Sequence, residues 1–177
     1  MRLTRMSVGL GLILLIAIVA FAQKVTTDYD HAANFSQYKT FMWLKEPNTE
    51  DPLMKQRIID AVNTELTEKG LQLVRDNADL NVAAHISTRQ KQTLNTFYDG
   101  YPGWGWGMGG MATTTVQTYE VGTLVVDLFD SGTKRVIWRG TATATVPDKP
   151  EKKEKKIEKA LDKMFKDFPP NKKVTRY

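Results

Sequence analysis

The clearest alternation of apolar and polar positions lies in Val121–Val146, VGTLVVDLFDSGTKRVIWRGTATATV. Leu124, Val126 and Leu128 share one face. Val136, Trp138, Gly140, Ala142, Ala144 and Val146 share another, with Arg139, Thr141, Thr143 and Thr145 opposite. A period of two in adjacent runs predicts two half-buried antiparallel strands joined by a turn at Asp130-Ser131-Gly132-Thr133. If both apolar sets face the same side, paired residue numbers sum to an even value. Pairing Leu128 with Val136 and Val126 with Trp138 meets that condition, with Ser131-Gly132-Thr133 as the loop. Asp127 and Arg139 then lie diagonally on the polar face.

The rest of the pattern falls around this hairpin. Gln23–Tyr29 and the aromatic-rich Tyr38–Leu44 read as strands, separated by a loop over His31–Ser36. Asp51 is placed to cap a helix whose first position suits Pro52. That helix extends to about Lys69, with Met54, Ile58, Ala61, Val62 and Leu66 on one stripe and Gly70 as its stop. Leu71–Val74 and Leu80–Gln92 read as strands around a turn at Asp76–Asp79. The segment Thr96–Met111 breaks all periodicity, and Thr113–Tyr119 resumes strand character. A second helix is predicted over Glu151–Phe168, with the stripe Ile157, Ala160, Leu161, Met164, Phe165 and Phe168. Asn171–Tyr177 is a polar tail.

No regular βαβ alternation runs through this order, so a doubly wound parallel sheet is not expected. Two amphipathic helices can cover one face of a mostly antiparallel sheet, which predicts an α+β two-layer sandwich. The uncovered face would carry His85, Asp127, Arg139 and Thr141 to solvent.

Composition changes the picture mainly at the amino terminus. Arg2 and Arg5 precede an uncharged apolar run, Val8–Val19, and Ala20-Phe21-Ala22 matches a cleavage site. Residues 1–22 are therefore read as a cleavable signal peptide and residues 23–170 as one domain. Loss of Arg2 and Arg5 lowers the formal charge from +5 to +3, too mild to argue for nucleic acid. The chain has no cysteine, which excludes disulfides, thiolate metal sites and a lipid anchor on cysteine.

Four stretches together resemble one known family. They are DYDHAANFSQYKTFMWL (Asp28–Leu44), DNADLNVAAHIS (Asp76–Ser87), the Gly/Trp segment, and GTLVVDLFDSGTKRVIWRGTATA (Gly122–Ala144). They look like the DUF4136 family of exported bacterial envelope proteins, many of them lipoproteins. The resemblance implies an exported α+β domain and brings no catalytic residues to carry over. The missing lipoprotein cysteine is a departure that favours a soluble periplasmic form, free or peripheral to a membrane.

Candidate chemistry is sparse. His31 with Asp28 and Asp30 could suggest a metal, but one loop histidine beside two aspartates reads better as a solvated turn. His85 with Ser87 reads as a surface histidine, and no hydrolytic triad is suggested. GWGWGMGG lacks the Lys-Ser/Thr of a phosphate loop. Phe35, Tyr38, Phe41 and Trp43 could line a ligand pocket but read better as core, and the Lys-rich second helix could touch anionic lipid or nucleic acid but reads better as a solvated Lys/Glu face.

The segment Tyr98–Met111 is the main binding candidate. Its glycines give backbone freedom, while Tyr98, Tyr101, Trp104, Trp106 and Met108 are costly to leave in water. The expectation is a non-enzymatic periplasmic binding or structural module with no cofactor. Its partner would be an envelope protein, a glycan or a membrane surface. The alternative is a carrier of a small apolar or lipid-like ligand held between helices and sheet.

Overall fold

The computed structural model describes residues 23–98 and 112–170. Six strands form one sheet: β1 (Lys24–Tyr29), β2 (Thr40–Lys45), β3 (Gln72–Leu73), β4 (Leu80–Tyr98), β5 (Ala112–Asp130) and β6 (Val136–Thr145). Two helices, α1 (Pro52–Glu68) and α2 (Pro150–Phe165), complete it. The strand order is β1-β6-β5-β4-β2-β3. The first three pairings are antiparallel, whereas β2 runs parallel to both β4 and β3. Helix α1 supplies the crossover that parallel strands require. The expected α+β sandwich, with both helices on one face of a mostly antiparallel sheet, is the observed fold.

Local chemistry sets the helix boundaries. Asp51 Oδ1 accepts from the backbone N–H of Leu53 at 3.0 Å and of Met54 at 3.1 Å, satisfying donors that the first turn leaves open. Gly70, at φ +86°, takes the left-handed conformation that ends the helix. The stripe Ile58, Val62 and Leu66 is fully buried. On α2, Leu161, Met164 and Phe165 are equally buried, and Phe168, just past the helix end, remains in the core.

Even-numbered residues from Leu80 to Ile86 of β4, Leu124 to Leu128 of β5 and Trp138 to Ala142 of β6 face the helices. Val82, Val126, Leu128 and Trp138 lie in one core cluster with both helix stripes. The Trp138 indole stacks on the Phe165 ring, centroids 4.8 Å apart. The aromatics near β2 join this core: Phe41 is fully buried, and Phe35 meets Tyr38 and Phe168 edge to face. Trp43 reaches α1, its indole N–H donating to Asn63 Oδ1 at 2.9 Å.

The hairpin register differs from the expected one by two residues. Leu128 pairs with Trp138, Val126 with Gly140 and Asp127 with Arg139. The parity was right, so the faces are as expected, but the loop is longer. The chain turns through Ser131–Arg135, with Asp130 N–H donating to the Arg135 carbonyl at 3.0 Å. A bulge then inserts Ile137 opposite the Leu128–Phe129 step. Ile137 is buried and Val136 is turned outward, 39% exposed, so Val136 does not share the face of Trp138.

The segments Leu80–Gln92 and Thr113–Tyr119 also proved longer. β4 continues to Tyr98, and β5 runs unbroken from Ala112 into the hairpin, so two expected strands are one. No described helix is long and apolar enough to cross a membrane.

Candidate functional site

The open sheet face carries the four residues expected there. Rows run straight across the strands: Ala83, Asp127, Arg139 and Asp28 form one, and His85, Val125, Thr141 and Thr26 the next. Arg139 grips Asp127 with two bonds, Nε to Oδ1 at 2.5 Å and Nη2 to Oδ2 at 2.8 Å. The pair is directly cross-strand, not diagonal, because of the register difference above. A planar guanidinium matches a carboxylate in this way, and the contact leaves Arg139 less able to reach an outside ligand. His85 is exposed and Thr141 half-buried, with Val125 between them. The face is therefore a flat polar surface, with Thr123 and Thr143 hydroxyls 3.2 Å apart. It does not converge on any point.

Around His31 no metal cage forms. Its ring packs on Tyr29 at 4.4 Å, Asp28 accepts from Tyr29 N–H, and Asp30 accepts from Ala32 N–H. Asp30 also lies 3.6 Å from Arg135. Among the described residues no three of His, Cys, Asp or Glu gather as a metal site.

Of the candidates in the Gly/Trp segment, Tyr101, Trp104, Trp106 and Met108 lie outside the described residues. Tyr98 ends β4, opposite Ala112, and only its backbone is described. What the structure adds is the mount of that segment. Pairing of β2 with β4 stops at Ala83, and the Asn48 side chain takes the Ile86 N–H at 2.9 Å. β6 pairs with β5 as far as Val121, and Val146 N–H then donates to the Glu120 carbonyl. From Lys91–Tyr119 to Tyr98–Ala112 no other described strand pairs with these two. At ~3.3 Å per residue this is a ribbon of roughly 25 Å. Leu94 and Val116 face each other across it and are 66% and 53% exposed.

A second feature lies at the base of the ribbon. A cleft of about 300 Å3 opens between the sheet and the amino-terminal halves of α1 and α2. Ile86, Leu124, Ala142 and Ala144 form its floor, and Met54 and Ile157 its walls. Lys153 and Lys156 stand at one side, Asp51 and Glu120 at others. Lys156 Nζ donates to the Thr145 carbonyl at 2.7 Å. None of these lysines was singled out in the sequence, where they read as part of a solvated face. The signal was available: Lys153 and Lys156 continue the Ile157–Ala160 stripe of the helix.

The groove between α1 and α2 is acidic by comparison. It is lined by Asp60, Glu65, Glu154, Glu158 and Asp162, with Arg57 bonded to Glu154 at 3.4 Å. Burial and the neighbouring Asp162 carboxyl push the Glu65 carboxyl up to about 7.

The architecture is that of a small mixed sheet with two helices on one side and a two-stranded extension. The chain belongs to the DUF4136 family, a domain of unknown function, whose family model matches residues 25–170. A comparison with curated proteins found no match. Among solved structures, a PDZ domain protein from Parabacteroides distasonis is 15% identical with a TM-score of 0.54. The alignment covers 88% of this chain but 37% of that one, so the chain spans little over a third of its length. A DUF4136 family protein from Bacteroides thetaiotaomicron is 17% identical, TM-score 0.49, over 83% of this chain and 96% of that one. The PelC dodecamer from Paraburkholderia phytofirmans is 15% identical, TM-score 0.45, over 81% and 97%. At these identities the likeness concerns the fold.

Proposed function

We propose that the protein is a non-enzymatic binding module of the cell envelope, exported to the periplasm, and that the β4–β5 ribbon reaches its partner. The observation that carries this is the ribbon itself. An isolated two-stranded ribbon is marginal in water, and an open strand edge is a template for pairing with another chain. Among the described residues no strand covers either edge. Leu94 and Val116 add an apolar spot midway along it. Export is supported by the charged and apolar pattern of residues 1–22. The partner is an envelope protein, a glycan or a membrane surface.

The test is a Leu94→Ser, Val116→Ser double variant, compared with wild type for co-sedimentation with envelope fractions. Both side chains are exposed, so the melting temperature should hold while binding falls. Unchanged binding by the variant would remove the ribbon from the role.

A second reading, a carrier of a small apolar or lipid-like ligand, is favoured by one observation. The cleft at the ribbon base has an apolar floor and lies between helices and sheet.

A further inference from the structure

The cleft exists because side chains on the sheet are small where the helix above them turns polar. On β6, Gly140, Ala142 and Ala144 succeed one another on the helix-facing side, and Gly122 pairs with Ala144. At Gly140 the space is taken: a Cβ there would stand 2.3 Å from Met164 Cγ. One to three turns earlier, α2 offers Ala160, Ile157, Lys156 and Lys153 over the remaining small residues. A lysine cannot be closed against an apolar floor without losing the hydration of its ammonium. Its methylene stem can instead line the wall while the charge stays at the mouth. The helix therefore leaves an opening where it would otherwise pack.

The charges around the mouth are unequal in availability. Asp51 Oδ1 accepts both α1 cap bonds, so its charge is offset by the helix N-terminus, and Glu120 is exposed on the ribbon side. Lys153 and Lys156 are half-buried on one wall, and among the described residues neither forms an ion pair. Lys156 is held in place by the Thr145 carbonyl and keeps donors to spare. An apolar floor beside two such ammonium groups complements a molecule with an apolar tail and an anionic head.

We infer that the cleft binds a single-chain anionic amphiphile. Its acyl chain lies on Ile86, Leu124, Ala142 and Ala144, and its carboxylate or phosphate meets Lys153 and Lys156. A volume of about 300 Å3 is at the small end for ligand sites and suits one chain, not two. This rests on the carrier reading above and adds the charge of the head group and the residues that hold it.

Calorimetric titration of the full chain with decanoate, decyl phosphate, decanol and decyltrimethylammonium tests it, the charged chains kept below their micelle concentrations and decanol below its solubility limit. Decanoate or decyl phosphate should bind about tenfold tighter than decanol, the effect of a charge-assisted contact, and the cation more weakly than either. Lys153→Gln should weaken the anions and leave decanol unchanged. Ala144→Leu should fill the floor and abolish binding of every chain. Equal affinity for decanoate and decanol would overturn the anionic assignment and leave the carrier reading standing. No binding by any chain would overturn both. Unchanged affinity for the anions in Lys153→Gln would overturn the site, even if Ala144→Leu failed to fold.

Discussion

Met164 of α2 fills the space that a side chain on Gly140 of β6 would need. A Cβ at position 140 would lie 2.3 Å from Met164 Cγ and 2.6 Å from the Trp138 ring. The glycine is required by packing, not by its backbone angle. Gly140→Val should therefore force α2 off the sheet and cost at least about 1–3 kcal/mol, as overpacked cores do. Chemical denaturation checks this, and an unchanged midpoint would mean that Met164 of α2 does not pack on Gly140.

Trp138 tests the same contact from the other side. It is 2% exposed and stacks on Phe165. Trp138→Ala should cost on the order of 3–5 kcal/mol, the range for large-to-small changes in a core. A melting temperature equal to wild type would count against its burial.

The Asp127–Arg139 pair should matter far less, despite its good geometry. The Arg139 side chain is 55% exposed, and solvent screens such a pair. Arg139→Ala is expected to cost less than about 1 kcal/mol, and less again at high salt. A loss several times larger, independent of salt, would show that the open face is covered.

Stability should depend on pH through the helix–helix groove. Burial, then Asp162, raises the Glu65 carboxyl from 4.5 to about 7 in the folded protein. The folded state thus holds the proton more tightly than the unfolded chain does. The stability this contributes is fully present below 4.5 and is lost as pH rises through about 7. Glu65→Gln should remove this loss, melting higher than wild type at about pH 8. A wild-type melting temperature that rises between pH 4.5 and 7 with this signature absent from Glu65→Gln would reverse the sign and contradict the burial.

Much of the fold was legible because local chemistry and burial agreed. Asp51-Pro52 and Gly70 marked the ends of α1, and the alternation around Trp138 assigned the faces of the hairpin. The register was not legible, because its loop is held by a distant residue. The Tyr38 hydroxyl donates to Asp130 Oδ2 at 2.8 Å across 92 positions of sequence, while Asp130 Oδ1 takes Thr133. No local pattern reports such a contact.

Thr113–Tyr119 read as a strand, but the reach of β4 past Gln92 was missed for a different reason. Period two appears when a strand has one face to bury, and the stretch beyond Gln92 has none. It carries Thr93 on one face and Thr96 on the other. The cleft lysines were hidden by their abundance on α2, where two inward positions look like the rest of a charged helix.

Hydrogen exchange along the ribbon tests most directly whether it is the partner-binding element. In the isolated protein, the outward amides of Gln92–Thr96 and Thr114–Thr118 should exchange fast, because among the described residues no strand covers either edge there. In the presence of envelope membranes or their extracts, the same amides should slow, with those of β1 and β6 unchanged. Exchange in the ribbon that is equally fast with and without the envelope would contradict the proposed role.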